Sequence, residues 1–253
     1  MRRYWVEQAA FIDSDQGKSV LISGDNFRHI CIVCRQDVDD EFEVLTDDAI
    51  AYKVKIINKE KKRAFANIIS QRVLPEIKKP HIELCVSLPK FNKFELILEK
   101  SVELSVTKIR PFFSENSFIR SAKKLSDERL KRWQKIVKSA TQQTGRGRLM
   151  TIEPPCTLAE LLENFNQNDS AAGLFPYEGE CEKTVKQELQ SIKTGSYNSI
   201  WAFIGSEGGF SQVELSQFVS NGLSPVTLGE QVLRVETACV SLASIIKYEL
   251  IDK

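Results

Sequence analysis

Apolar positions in the first 74 residues come in short runs. Ser19–Ile22, Phe42–Leu45, Ala51–Ile57 and Ala64–Ile69 each have the length of a strand. Charged or turn-rich pieces part them, such as Ser23-Gly24-Asp25-Asn26 and Asn58-Lys59-Glu60-Lys61. Closely spaced short strands predict a small barrel or sandwich. Pro75-Glu-Ile-Lys-Lys-Pro80 interrupts the pattern with two prolines and a charge run, and reads as a linker.

Beyond Pro80 the rhythm becomes strand, helix, strand. His81–Leu88 alternates, with Ile82, Leu84, Val86 and Leu88 on one side, and Pro89 closes it. Lys90–Val106 carries Phe91, Phe94, Leu98 and Val102 at helical spacing. Lys108–Phe113 predicts a strand. Ser126–Thr144 predicts a helix with Leu130, Trp133, Val137 and Ala140 on one stripe and basic residues on the other. Leu149–Ile152, Ala171–Pro176, Ser199–Ile204 and Pro225–Leu228 read as further strands. Thr157-Leu-Ala-Glu160 and Ser211-Gln-Val-Glu214 are capping boxes that open helices, the second ending at Gly222. Val235–Leu250 is the terminal helix. Alternation of this kind predicts an α/β sheet with helices on both faces. The expected division is residues 1–74 and 75–253, with 75–80 as the linker.

Composition adds little to this and charge adds more. The chain has 253 residues, 42% of them hydrophobic and 27% charged, close to globular averages. No stretch approaches the roughly 20 apolar residues of a membrane helix, and the first ten residues do not read as a signal peptide. A soluble, cytoplasmic protein is expected. The net charge of +1 conceals an asymmetry. Residues 76–150 hold 17 basic and 8 acidic residues, whereas residues 151–253 hold 6 and 14. Such a basic segment attracts polyanions, or is a solvated helix face. Of the six cysteines only Cys31 and Cys34 are close. They sit among Ile30, Ile32 and Val33 and read as buried small hydrophobes. With His29 and His81 the only histidines, no metal site is expected.

Two runs carry candidate chemistry. Gly205-Ser-Glu-Gly-Gly209 follows the apolar strand Ile200–Ile204 and precedes the helix capped by Ser211. It reads either as a tight turn or as backbone that approaches a ligand at the carboxyl end of a strand. It matches neither the dinucleotide fingerprint nor the P-loop. Leu228-Gly-Glu-Gln-Val-Leu-Arg-Val-Glu-Thr-Ala238 leads into the last helix. Glu236 near a helix start is favoured by the helix dipole, whereas Arg234 there is disfavoured. Arg234 is therefore either a site residue or the partner of Glu236 or Glu207 in an ion pair.

Ile-Gly-Ser-Glu-Gly-Gly-Phe-Ser at 204–211 and Leu-Gly-x-x-x-Leu-Arg-x-Glu-Thr-Ala at 228–238 resemble the two C-terminal signatures of the RsmE family. Those proteins are 16S rRNA uridine N3-methyltransferases of the SPOUT, or α/β-knot, class. Arg3-Tyr4, His29 and Arg35 resemble its N-terminal pattern, Lys100-Ser-Val-Glu-Leu-Ser-Val106 its Lys-x-x-Glu-Leu-Gly-Val stretch, and Arg132-Trp133, Ile136 and Ala140–Arg146 its basic helix. The chain departs from the family at four places. Ser206 replaces a usual proline, Val235 a threonine and Ser105 a glycine, and Asp39-Asp40 stands for a Gly-Asp turn.

The resemblance implies an N-terminal PUA-like β-barrel, a SPOUT α/β domain with a C-terminal trefoil knot, and a homodimer formed through the terminal helix by Val240, Leu242, Ile245 and Ile246. It implies S-adenosylmethionine held by Phe175, Pro176, Glu178, Ile204, Gly205, Ser206, Glu207, Gly208, Gly209, Leu228, Gly229, Val232, Leu233, Thr237 and Ala238. Ile204, Leu228, Val232 and Leu233 would form an apolar slot for the adenine. Arg234 and Glu236 are the implied catalytic pair. Arg3, His29, Arg35, Lys123, Lys124, Arg129, Arg132 and Arg146 are the implied contacts to 16S rRNA in the small ribosomal subunit. The alternatives are a related enzyme acting on another RNA such as tRNA, or an RNA-binding protein without catalysis. A nicotinamide-dependent dehydrogenase is disfavoured, because no fingerprint follows His81–Leu88.

Overall fold

The computed structural model describes residues 1–14 and 17–251, so residues 252–253 of the expected second segment lie outside it. The chain divides into two compact units, one of residues 1–76 with 138–149 and the other of residues 77–137 with 150–253.

The first unit is built on β1 (Arg3–Trp5), β2 (Phe11–Ser14), β3 (Gly17–Ser23), β4 (Glu41–Leu45), β5 (Ile50–Lys59) and β6 (Arg63–Val73). Their ladder runs β1-β4-β5-β6-β3-β2, antiparallel except for the β1–β4 pair. Period-two alternation turns Val20 and Ile22, Phe42 and Val44, Val54 and Ile56, and Ala64 and Ala66 into one core.

One expectation fails here. A short helix α1 (Gly24–Phe27) runs into a π-helical turn, Arg28–Val33, between β3 and β4. A helical period turns Phe27, Ile30 and Cys31 inward and leaves Ile32 and Val33 57% and 64% exposed. Cys34 is only half-buried, its sulfur 3.9 Å from His29 Nε2. Of the two cysteines, Cys31 alone behaves as a core residue.

The second unit holds β7 (His81–Ser87), α2 (Phe91–Glu103), β8 (Lys108–Phe113), most of α3 (Asp127–Thr144), β9 (Thr151–Ile152), β10 (Cys156–Thr157), α4 (Leu158–Asn166), β11 (Ala171–Pro176), β12 (Lys183–Thr184), α5 (Val185–Lys193), β13 (Ser199–Ile204), α6 (Gln212–Ser220), β14 (Pro225–Thr227) and α7 (Val235–Leu250). The strands order as β10-β8-β7-β13-β11-β14-β12, with β9 beside β8, and every pairing is parallel. Parallel strands covered on both faces are apolar throughout, and every residue of β13 is buried. Cys85, Phe112, Phe175, Trp201 and Phe203 pack against Leu158, Leu161 and Leu162 of α4 and Phe218 of α6. Elsewhere α2 lies along α7, which also contacts β7 and β13.

Three details of the α/β unit correct the sequence reading. Leu130, placed on the inner stripe of α3, is exposed, while Trp133, Val137 and Ala140 are buried. The inner stripe therefore begins one turn later. Leu242 and Ile246, expected to face a second copy, are fully buried in their own chain because α7 packs on α2 and the sheet. Helix α5 has no counterpart in the sequence reading. It is opened by a Thr184–Gln187 capping box and buries Val185, Leu189 and Ile192.

Ser105 and Asp39, which stand where the resembled family carries glycine, adopt left-handed backbone at φ +65° and +73°. A side chain in that region costs roughly 1 kcal/mol. Ser105→Gly is accordingly expected to stabilise the protein by about 0.5–1 kcal/mol, read as a higher urea midpoint at unchanged slope.

Candidate active site

Three loops leave the carboxyl edge of the adjacent strands β13, β11 and β14. They are residues 205–211, 177–182 and 228–234. Ligands of parallel α/β sheets bind beyond that edge. The loops enclose a cleft whose mouth is open to solvent.

Pro176, Glu178, Ile204, Gly205, Ser206, Glu207, Gly209, Leu228, Gly229, Val232, Leu233 and Ala238 all line the cleft. Tyr177, Phe210, Glu230, Gln231 and Val235 join them. Three expected residues lie elsewhere. Phe175 is buried in the aromatic cluster, stacked on Phe218 at 4.3 Å, because strand alternation turns it into the core. Gly208 faces a neighbouring loop, where a Cβ would meet that of Asn116 at 2.9 Å. Thr237 is on the exposed side of α7, one residue from the inward-facing Ala238. Val232, expected in an adenine slot, is 79% exposed and forms only the rim. Ile204, Leu228 and Leu233 remain as the apolar walls.

Local chemistry explains the glycine loop. Gly209 takes φ +63° and donates its N–H to the Ser206 carbonyl at 3.0 Å, closing a tight turn. A Cβ on Gly209 would collide with the Glu178 carboxylate. The Ser206 hydroxyl donates to the Asn116 carbonyl at 2.8 Å, and Asn116 Nδ2 donates to the Gly208 carbonyl at 3.0 Å. Proline at 206 would have no hydroxyl to make that tether. Buried Glu214 adds a further link, accepting from the Ser211 N–H at 2.9 Å and from the Glu115 N–H at 2.9 Å. One carboxylate thus caps α6 and holds the loop after β8.

The cleft is electrostatically one-sided. Glu178, Glu207 and Glu230 line it, and among the described residues no lysine or arginine does, although Lys93 pairs with Glu207 at its edge. Such walls favour a cationic ligand. Glycine-walled backbone, apolar surface at Ile204, Leu228 and Leu233, and three carboxylates fit S-adenosylmethionine, whose sulfonium and ammonium groups are positive. Among the described residues no group of three or more His, Cys, Asp or Glu forms a metal site, and no helix is long and apolar enough to cross a membrane.

The two residues expected to be catalytic stand at the start of α7. Arg234 is the N-cap residue, exposed, its carbonyl accepting the Ala238 N–H at 2.8 Å. Glu236 and Glu207, its two candidate ion-pair partners, are instead bridged by Lys93 of α2. The Lys93 Nζ lies 3.4 Å from Glu207 and 3.5 Å from Glu236. Among the described residues no carboxylate pairs with Arg234. Lys93 was invisible in the sequence because it lies more than 100 residues before its partners.

The expected RNA contacts are scattered. Lys123 and Lys124 form an exposed 3-10 turn. Arg132 makes a bidentate pair with Glu95 at 2.7 and 2.8 Å, and Arg129 joins at 3.1 Å while its guanidinium covers Phe91. The bond from Arg132, above all, holds the Glu95 carboxyl below its usual pKa. Arg129 and Arg132 are thus tied into α2–α3 packing. In the other unit, Arg3 bonds Glu43 at 3.2 Å and the Gln143 carbonyl at 2.9 Å. His29 is exposed with its ring edge on Tyr4, and Arg35 is exposed at φ +57°. Arg146 corrects the picture of a solvated basic face, since it is half-buried and burial pushes its pKa down to about 10.

A parallel α/β sheet with a glycine-walled acidic cleft at its carboxyl edge defines a small-molecule-binding α/β enzyme domain. Comparison with known proteins narrows that class. The family described as RNA methyltransferase domain matches residues 76–247, and that described as RNA methyltransferase PUA domain matches residues 22–69. Ribosomal RNA small subunit methyltransferase E of Mesomycoplasma hyopneumoniae is 31% identical over 89% of this chain and 86% of its own. The protein of that name from Buchnera aphidicola subsp. Acyrthosiphon pisum is 28% identical over 90% and 87%. A crystal structure of ribosomal RNA small subunit methyltransferase E from Neisseria gonorrhoeae, bound to S-adenosyl methionine, aligns with a TM-score of 0.82 at 26% identity, covering 99% of this chain and 98% of that one. The chain belongs to this family of RNA methyltransferases, with a PUA-like domain ahead of the α/β domain.

Proposed function

We propose that the protein transfers a methyl group from S-adenosylmethionine to N3 of a uridine in 16S rRNA of the small ribosomal subunit. The observation that carries this reading is the acidic, glycine-walled cleft at the carboxyl edge of β11, β13 and β14, in a chain of this family. The names of its relatives supply the RNA class.

S-adenosylmethionine supplies, when bound, an electrophilic methyl on a positively charged sulfur. The protein's own work is to bind, orient and move one proton. Ile204, Leu228 and Leu233 would hold the apolar part of the cofactor, Gly205 and Gly209 would let backbone approach it, and Glu178, Glu207 and Glu230 would face its positive groups. Phe175 and Gly208 act from behind, as packing for that wall. Uracil N3 carries a proton that must leave as the methyl arrives. Glu236 is the base we assign to it, because its Oε2 is buried and, among the described residues, is engaged by the 3.5 Å ion pair with Lys93 and by no hydrogen bond. Arg234 stabilises the negative charge that develops on the uracil oxygens.

The finer architecture belongs to the same proposal. Residues 1–76, with 138–149 packed in the same unit, form a PUA-like barrel that grips RNA through Arg3, His29 and Arg35, and residues 77–137 with 150–253 form the SPOUT domain with its C-terminal trefoil knot. The working unit is a homodimer in the cytoplasm, where the small subunit is. Val240 and Ile245, both half-buried on α7, are the residues left to meet a second copy.

Two measurements test the reading. Calorimetric titration should show S-adenosylmethionine binding with no RNA present. RNA affinity should fall steeply with salt as phosphate contacts release counterions. Lys123→Ala with Lys124→Ala should flatten the log–log salt slope by about 1.4, or ~0.7 per single-strand phosphate contact, and leave cofactor affinity unchanged. An unchanged slope would make the two lysines a solvated turn.

A further inference from the structure

A second depression opens beside the cofactor cleft, and its chemistry is the reverse. Lys90, Lys93, Arg120 and Lys124 line it, with Asn116 and Phe118, and Glu207 belongs to both depressions. Among the described residues the first cleft is lined by three carboxylates and no cation, whereas the second is lined by four cations and one carboxylate. A cationic cofactor is drawn to one and a polyanion to the other.

Phe118 stands out because large aromatics are normally buried. It is 56% exposed, with the Lys90 Nζ 5.5 Å from its ring centroid. Its place is nonetheless fixed. Ser117 is buried and bonded to Ser87 at 2.8 Å and Ser114 at 2.9 Å, Ile119 is buried, and Arg120 Nε donates to the Ser117 carbonyl at 3.2 Å. The neighbouring Asn116 is doubly bonded to the glycine loop. The aromatic platform and the cofactor cleft are therefore held in one rigid relation.

We propose that this groove seats the target nucleotide of the RNA, unstacked from its neighbours, its base lying on the Phe118 ring. The flanking phosphates rest on Lys90, Arg120 and Lys124, and the edge of the base projects past Glu207 toward the cofactor. A flat aromatic beside cations is the recurring chemistry of single-stranded RNA recognition. Lys93 is a positioning residue, since it ties Glu207 at the shared border to Glu236 at the start of α7. The assignment rests on the methyl-transfer reading above.

Phe118→Leu keeps an apolar side chain and removes the stacking face, and Phe118→Trp restores one. In the full-length protein, Phe118→Leu should melt as wild type and bind S-adenosylmethionine within about twofold. Its single-turnover methylation of small subunits should slow roughly tenfold or more, from the range of base–aromatic stacking. Phe118→Trp should stay within a few-fold of wild type. A second readout needs no catalysis: a single-stranded RNA oligonucleotide containing 4-thiouridine, irradiated with the wild-type protein, should crosslink to the peptide holding Phe118. A Phe118→Leu protein that methylates at the wild-type rate, or a crosslink mapping only elsewhere, overturns the seat. A wild-type protein that crosslinks at Phe118 yet methylates no RNA upholds the seat and overturns the reaction assigned to it.

Discussion

Gly209→Val will leave the protein folded and weaken S-adenosylmethionine by more than about 30-fold, or ~2 kcal/mol. Two costs combine at this position. The backbone is left-handed at φ +63°, where a β-branched residue is strained by roughly 1–3 kcal/mol. The new Cβ also displaces the Glu178 carboxylate, the end of a flexible side chain, from the place where it lines the cleft. Gly222→Ala separates the two costs. Gly222 has φ +77° but nothing near its missing Cβ, and it closes the far end of α6. That variant should lose about 1 kcal/mol of stability and keep wild-type cofactor affinity. Equal affinity in Gly209→Val would mean that the glycine loop does not hold the cofactor. Gly208 is a poorer probe than its place in the motif suggests, because a side chain there meets Asn116 rather than the cleft.

Arg234→Lys should methylate about 10- to 100-fold more slowly, with unchanged melting temperature and cofactor affinity. Arg234 is a cation at a helix N-terminus, which the helix dipole disfavours, and no ion pair among the described residues offsets that cost. Both glutamates able to pair with it are held by Lys93. A structural role therefore has no visible partner, whereas an anionic uracil would supply one. Lysine keeps the charge and loses the planar fork that spans two acceptors. Preorganised donors of this kind are worth roughly 10²–10³ in rate when removed outright, so retaining one ammonium gives a smaller loss. Glu236→Gln should lose about 10²–10⁴ in the same assay. An Arg234→Lys enzyme at full rate would remove Arg234 from the reaction.

The parts of this account that were legible in the sequence are those encoded locally. Short apolar runs marked β3 to β8, β11 and β13, and the Thr157 and Ser211 capping boxes marked α4 and α6. The Gly205–Gly209 and Leu228–Ala238 runs converge because β11, β13 and β14 are neighbours, and loops at one edge of a parallel sheet meet. The misses have physical causes of their own. Helix α5 carries its own signal, Thr184-Val-Lys-Gln187 followed by Leu189 and Ile192, which weak overall apolarity obscured. Cys31 and Cys34 looked alike because both sit among Ile30, Ile32 and Val33, yet the segment winds into a helical turn. Arg129 and Arg132 looked like free RNA contacts because Glu95 lies over 30 residues earlier. Lys93 and Asn116, which brace the site from α2 and the β8 loop, are joined to it only by the fold.

The central claim is that this chain methylates uridine N3 in small-subunit rRNA. The most direct measurement incubates the purified protein with S-adenosylmethionine and small ribosomal subunits lacking the modification, then digests the RNA for nucleoside mass spectrometry. The account predicts one new 3-methyluridine, confined to one fragment of 16S rRNA and absent when the cofactor is withheld. Methylation of tRNA alone, of a different atom or base, or no methylation by a protein that binds the cofactor would contradict it.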